Sequence, residues 1–328
     1  MTHRILVTGA GGFVGGHLLG CLQAFRHEAE ILATSRSSSV HPDFGAIRQM
    51  RVTDEVAVGN VMREFRPTHV IHLAGMAAVP AANAHSDAAW QLHLFGTLNV
   101  AQLMMHYVPE SFLIYVGSGQ VYGSSAERGE PLDESSLLAP TDTYTSSKAS
   151  ADLALGAMAR QGLKCIRFRP FNHIGPGQSE DFVVSSFAMQ LARIKQGRQR
   201  PLLQVGNLSV QRDFVDVRDI VAAYAKAITA SSHIVSGTVL NLASGLGVPI
   251  KSILDALTKF AGVEVQIQQD PSRSRAREVA TYVGNAGKAK ALLGWRPTHR
   301  LEDTLREVFD SAMDTVQREF STFRNVPD

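Results

Sequence analysis

The stretch that most narrows what this chain can fold into is Ile5-Leu6-Val7-Thr8-Gly9-Ala10-Gly11-Gly12-Phe13-Val14-Gly15. An apolar, β-branched run leads into glycines at GxxGxxG spacing (Gly9, Gly12, Gly15), and a helical pattern opens at Phe13. Three demands meet in such a turn. The chain must leave a strand sharply, the backbone must approach a phosphate closely, and the helix must lie tight on the sheet. The helix start then presents unpaired N–H groups and a positive dipole end to an anion. A glycine triplet alone says little. Following a first strand and opening a helix, it indicates a dinucleotide pyrophosphate site.

The rest of the first half repeats the alternation. Strand patterns lie at Arg4–Thr8, Ala29–Ser35, His69–Ala74, Ser111–Val116 and Lys164–Arg169, and helical patterns at Phe13–Phe25, Glu55–Phe65, Ala88–Tyr107 and Tyr144–Arg160. Near-continuous apolar strands separated by helices predict an α/β fold, a Rossmann-type doubly wound parallel sheet covered on both faces. Beyond Pro170 the pattern changes: Phe171–Asp181 is rich in Gly, Pro and Asn and reads as a long loop. Helices follow near Phe182–Gln196, Val217–Thr229 and Ile250–Ala261, with strands at Leu202–Val205, Thr238–Leu242 and Val263–Gln268 and a polar loop at Asp270–Glu278. We expect a dinucleotide-binding domain over 1–170 and a smaller C-terminal α/β substrate lobe over 171–328, with the chain free to cross back between them.

The second strand should end at the adenosine ribose. An acid there would favour NAD, yet the chain has Thr34-Ser35-Arg36-Ser37. Hydroxyls and the planar donor fork of Arg36 suit a 2′-phosphate, so NADP(H) is expected to be preferred, with NAD(H) possible.

Tyr144-Thr145-Ser146-Ser147-Lys148 carries YxxxK spacing. On a helix these two side chains share a face. A phenol is a poor base at neutral pH, and a neighbouring ammonium favours its ionised form. Tyr144 could then exchange a proton with a sugar oxygen while hydride moves, and Lys148 could also hold the nicotinamide ribose. Val116-Gly117-Ser118-Gly119-Gln120-Val121-Tyr122-Gly123 stands at a strand end, where such sheets place ligands, and Ser118 offers a hydroxyl to the reacting oxygen.

Composition removes other classes. A formal net charge of +2 over 328 residues gives no reason to expect nucleic acid or a membrane surface as partner. No run approaches the roughly 20 apolar residues of a membrane span. The N-terminus lacks the zones of a signal peptide, so the expected compartment is the cytoplasm. Cys21 and Cys165 read as buried free thiols. The histidines show no HxxxH or HExxH spacing, so no metal is expected.

These residues resemble the extended short-chain dehydrogenase/reductases, whose members modify nucleotide sugars. The likeness rests on TGAGGFVG at Thr8–Gly15, HLAG at His72–Gly75, GSGQVYG at Gly117–Gly123 and YTSSK at Tyr144–Lys148. It continues through RPFNHIGPGQ at Arg169–Gln178, QRDFVDVRD at Gln211–Asp219 and LGW at Leu293–Trp295, so it spans essentially the whole chain. RPFNHIGPGQ, Phe182–Gly197 and Ile267–Arg273 look most like the reductases that convert GDP-4-keto-6-deoxy-mannose to GDP-D-rhamnose. The resemblance implies Ser118, Tyr144 and Lys148 as catalytic residues. It implies Gly9, Gly12, Phe13, Val14, Gly15, Arg36, Leu73, Ala74 and Gly75 around the cofactor, with Tyr144 and Lys148. It assigns a GDP-sugar to Ser118, Gln120, Asn172, Arg212, Arg275 and Glu278.

Three departures carry information. Related dehydratases have an acid where this chain has Gln120, and an amide cannot act as general acid or base in an elimination. Carbonyl reduction fits; a nucleotide-sugar 4-epimerase, or a reductase forming GDP-6-deoxy-D-talose, are the alternatives. An asparagine common in the family is His93 here, and an adenine-contacting acid is replaced by Arg51 or Thr53, with Asp54 a shifted substitute. Asp213 and Asp219 read as structural partners and His173 as a structural imidazole. The family often dimerises through two helices per subunit, which would be Ala88–Tyr107 and Tyr144–Arg160.

Overall fold

In the computed structural model, which describes residues 3–25, 27–271 and 278–324, the apolar runs of the first half become parallel strands. In chain order these are β1 (His3–Thr8), β2 (Ala29–Ser35), β3 (Ser39–His41), β4 (Gly45–Gln49), β5 (His69–His72), β6 (Phe112–Val116) and β7 (Cys165–Pro170). Between them run α1 (Phe13–Leu22), α2 (Glu55–Phe65), α3 (Val79–Ala84), α4 (Ser86–Trp90), α5 (Gly96–Tyr107) and α6 (Thr143–Arg160). The second half supplies β8 (Asn172–Ile174), α7 (Val183–Lys195), β9 (Leu202–Val205), β10 (Gln211–Asp216), α8 (Val217–Ala230) and β11 (Thr238–Leu242). It ends with β12 (Gly247–Pro249), α9 (Ile250–Ala261), β13 (Gln266–Gln269), β14 (Thr281–Tyr282), α10 (Gly287–Leu293) and α11 (Leu301–Arg324).

The large sheet has the order β11-β7-β6-β5-β1-β2-β4-β3. Its neighbours pair in parallel except β3 with β4. Strand order reverses at β1, which lies between β2 and β5, so a crevice opens at the carboxyl ends of β1 and β5. Both faces are covered. Ile5, Val7, Ile71 and Ile114 pack with Leu18, Leu19, Ile220 and Tyr224 on one side. Leu6, Val70 and Leu113 pack with Val58, Met62, Val100 and Leu155 on the other. Each such side chain contributes roughly 1.5–3 kcal/mol by leaving water.

Several boundaries differ from expectation. The helix expected over Ala88–Tyr107 is broken: α4 and α5 are joined by a π-helical turn at Gln91–Phe95. The end of Phe13–Phe25 tightens to a 3-10 turn at Gln23–Phe25. β8 lies inside the stretch read as loop, pairing Asn172 with Phe214 of β10. The Thr238–Leu242 strand joins the large sheet beside β7. Cys165 is buried, whereas Cys21 is only half-buried.

The smaller lobe holds the β12-β10-β14 sheet with β8 on β10, and the β13–β9 pair. Its core is Phe187, Leu191, Leu203, Leu254, Leu257 and Phe309, drawn from α7, β9, α9 and α11. Asp213 and Asp219 act as fasteners. Asp213 accepts from the backbone of Ser244, Gly245 and Gly284. Asp219 accepts from Thr298 and pairs with His299. Among the described residues no helix is long and apolar enough to cross a membrane.

Candidate active site

The glycine turn and the end of β5 are pressed together. Gly9 has φ +75°, and a Cβ there would fall 2.7 Å from the backbone nitrogen of Ala74. Gly15 is equally tight, its missing Cβ facing the Ala10 carbonyl. Gly12 is the N-cap of α1 and brings no capping side chain, so the first turn at Phe13 and Val14 keeps N–H groups available. These features fit a pyrophosphate. Arg36 is exposed just past β2. The hydroxyls of Ser35 and Ser39 lie 2.9 and 3.8 Å from where a Gly11 Cβ would be. The structure thus gathers Gly9, Gly12, Gly15, Leu73, Ala74, Gly75 and the β2 end on one crevice rim. Asp54, by contrast, is the N-cap of α2, accepting from the Ala57 N–H at 2.9 Å.

The residues expected to carry proton transfer stand beside that rim. Tyr144 and Lys148 lie on α6, each only 7 % exposed. Asp142 starts the helix with a capping box to Thr145. The Tyr144 N–H donates to Asn83 Oδ1 at 3.1 Å. Lys148 Nζ donates to the Val116 carbonyl at 3.2 Å, which ties α6 to the end of β6. Burial lowers the Lys148 ammonium to about 8. A Cβ on Gly75 would lie 3.2 Å from that nitrogen, so Lys148 reaches the cofactor rim. Ser118, buried two residues beyond Val116, accepts from the Gln120 N–H at 3.1 Å and opens a 3-10 segment over Gly119–Arg128. Among the described residues Gln120 Oε1 is buried without a hydrogen-bond partner.

On the other lobe, Arg212 and Glu278 meet at 3.3 Å. Two carbonyls, of Gln211 and Val279, fix the guanidinium. Among the described residues Glu278 Oε2 is buried and meets no hydrogen-bond donor. Asn172 is half-buried on β8. Arg275 lies outside the described residues.

Some supporting residues carried no assignment from the sequence. Asp152, one turn beyond Lys148 on α6, is fully buried and bridges Arg167 and Arg169 at 2.8 Å each. Its i+4 spacing from Lys148 on an otherwise small-residue helix was the available signal. His72 bonds Thr8 at 2.8 Å and Thr97 at 3.0 Å, linking β1, β5 and α5 beneath the site. His93, noted only as a departure, packs its ring edge-on against Tyr144, centroids 5.5 Å apart. Burial, then the Lys148 charge, lowers both imidazoles to about 3, so they are neutral. His173 Nδ1 donates to the Phe171 carbonyl at 2.9 Å, and its ring stacks near Phe13.

A doubly wound sheet with a glycine turn at its switch point and a Ser–Tyr–Lys group beside it defines an extended short-chain dehydrogenase/reductase. Residues 6–308 match the family model described as GDP-mannose 4,6 dehydratase, and the chain belongs to that family. It is 36 % identical over 321 residues to the GDP-6-deoxy-D-mannose reductase of Pseudomonas aeruginosa, covering 97 % of this chain and 100 % of that protein. It is 25 % identical over 317 residues to a UDP-glucose 4-epimerase of Rhizobium meliloti, covering 91 % of this chain and 94 % of the relative. Its fold matches the structure of RMD from Pseudomonas aeruginosa complexed with NADPH, with TM-score 0.84, 33 % identity, and 96 % and 100 % of the two chains covered.

Proposed function

We propose that this enzyme reduces the 4-keto group of GDP-4-dehydro-6-deoxy-D-mannose, forming GDP-D-rhamnose with NADPH as reductant. The observation that carries the reading is the Ser118–Gln120 turn. There an amide, Gln120, stands where elimination would require a carboxyl, while Tyr144 and Lys148 share α6 as carbonyl chemistry requires. The similarity to the Pseudomonas aeruginosa reductase supports the substrate.

When bound, the nicotinamide supplies hydride to the sugar C4. Tyr144 gives its phenolic proton to the oxygen that becomes negative at that carbon, and Ser118 Oγ donates a hydrogen bond to the same oxygen. Lys148 holds the nicotinamide ribose, and its charge favours the ionised phenol that Tyr144 leaves behind. Gly9, Gly12, Phe13, Val14 and Gly15 receive the pyrophosphate, and Leu73–Gly75 line the rim. Ser35, Arg36 and Ser39 would hold a 2′-phosphate, which would favour NADPH over NADH. Arg212, with Asn172 and Arg275, binds the substrate diphosphate, Glu278 accepts from its ribose, and Gln120 hydrogen-bonds the sugar.

In this division of labour residues 1–170 serve the cofactor and 171–328 mainly the sugar nucleotide, although α8 and β11 pack with the first group. Two subunits pair through the Ala88–Tyr107 segment and α6, where Phe95 of the π turn, 52 % exposed, and Leu153 of α6, 60 % exposed, wait for cover. The enzyme works in the cytoplasm. Incubation with NADPH and the GDP-keto sugar tests the reading. Loss of nicotinamide absorbance with GDP-D-rhamnose as product supports it. Retained NAD and no net oxidation of NADPH would point to an epimerase.

A further inference from the structure

We infer that His93 is a positioning residue, a strut of fixed tautomer that sets the spacing between the cofactor rim and the first turn of α6. This rests on the reading of Tyr144 and Lys148 given above, and concerns how they are held.

The shorter contact at Nε2 and the hydroxyl at Nδ1 fit one and the same proton placement. Nε2 lies 2.9 Å from the Met76 N–H, which has only a hydrogen to offer, so Nε2 is the acceptor. The Met76 carbonyl, 3.2 Å from the same nitrogen, is then a neighbour without a hydrogen bond. Nδ1 lies 2.8 Å from Ser147 Oγ. With its own hydrogen on the Tyr144 carbonyl at 3.0 Å, that hydroxyl accepts from Nδ1–H. A directed relay runs from Met76 through His93 and Ser147 to the backbone of Tyr144. The ring is 1 % exposed, and its contact with Tyr144 is nearly perpendicular at 89°.

The π turn explains how a helix delivers this side chain. The Gly96 N–H reaches back to the Gln91 carbonyl, which widens the backbone at His93. From below, Thr97 Oγ1 holds the His93 carbonyl and is itself bonded to His72. Gly75 completes the packing: a Cβ there would meet Lys148 Nζ at 3.2 Å and His93 Cδ2 at 3.4 Å. His93 therefore touches the rim, the tyrosine and the lysine's neighbourhood at once, and leaves Lys148 its donors. The ionisable groups facing it are Lys148 and Tyr144 from α6 and His72 from β5. An imidazolium would strip Nε2 of its acceptor role and set a second positive charge beside Lys148.

Two measurements test this. In the whole enzyme with 15N-labelled histidine, the resonance lost in His93→Phe should report a proton on Nδ1 only, unchanged between about pH 5.5 and 9. A proton on Nε2, or titration in that range, overturns the proposal, whatever the substrate proves to be. In the NADPH assay, His93→Phe and Ser147→Ala should each lower kcat about ten- to a hundredfold, with KM for the sugar nucleotide changed less than about threefold. The double variant should be no worse than His93→Phe, because Ser147 acts through the ring. Multiplicative losses, or wild-type kcat in folded variants, would contradict it. If His93→Phe does not fold, Ser147→Ala assigns the resonance through its Nδ1 shift and must still lose kcat. If the wild type fails to turn over the GDP-keto sugar, the substrate reading falls, and the resonance still decides the strut.

Discussion

Gly9 and Ala74 are in backbone contact: a Cβ on Gly9 would stand 2.7 Å from the Ala74 nitrogen. The turn that leaves β1 and the segment that leaves β5 therefore form one rim, and the rim exists only because Gly9 has no side chain. Gly9 also has φ +75°, which is costly for other residues. Gly9→Ala should destabilise the fold by roughly 1–3 kcal/mol and weaken NADPH binding more than tenfold. Denaturant titration and cofactor fluorescence measure the two effects separately.

The lysine has a pH signature. Burial takes Lys148 from its ordinary 10.5 to about 8. Between about pH 8 and 10.5 the unfolded chain keeps a proton that the folded chain has lost. The cost of burying the charge is thus full below pH 8 and fades as pH rises. Lys148→Met should be more stable than wild type by roughly 1–3 kcal/mol below pH 8, with the gap closing toward pH 10.5. NADPH affinity of the wild type should move the other way, falling above pH 8 as the ammonium is lost. A flat binding profile from pH 7 to about 9.5 would remove Lys148 from the ribose site.

Beneath the site, Asp152 is the shared counter-ion of Arg167 and Arg169, and Arg169 also donates to the Tyr122 hydroxyl at 3.0 Å. Removing the carboxylate strands two guanidinium groups against β7. Asp152→Ala should cost about 3–5 kcal/mol in urea unfolding, far more than an exposed pair such as Lys251–Asp255.

Arg212 and Glu278, proposed to bind the sugar nucleotide, are already paired with each other at 3.3 Å. Arg212→Ala should raise KM for the GDP-sugar at least tenfold, because a charged hydrogen bond to phosphate is lost. Glu278→Ala should raise KM several-fold with kcat little changed, as expected when binding is lost equally from ground and transition states. Steady-state kinetics on the two variants separates these outcomes from a fall in kcat.

The large sheet was legible because strands buried on both faces need uninterrupted apolar residues, and β2, α2, β9, β11 and α9 fall within their expected bounds. What escaped is short or half-exposed. β3 and β4 form an exposed antiparallel edge with little apolar signal, and β8, β12 and β14 gain their order from pairing with β10. The π turn at Gln91–Phe95 is invisible to a 3.6-residue period. At the candidate site, motifs singled out Ser118, Tyr144, Lys148 and the glycines, which the fold brings to neighbouring strand ends. The supports are contacts across long sequence separations: His93 to Met76, Asp152 to Arg169, Thr8 to His72. No local pattern encodes those.

The central claim is a hydride delivered to C4 of a keto sugar and kept there. Deuterium placed at the transferable C4 position of NADPH follows it directly. With GDP-4-dehydro-6-deoxy-D-mannose, the account requires one NADPH oxidised per sugar and GDP-D-rhamnose labelled at its C4, both abolished by Tyr144→Phe. An unlabelled product with no net NADPH consumption, or full turnover by Tyr144→Phe, would contradict it.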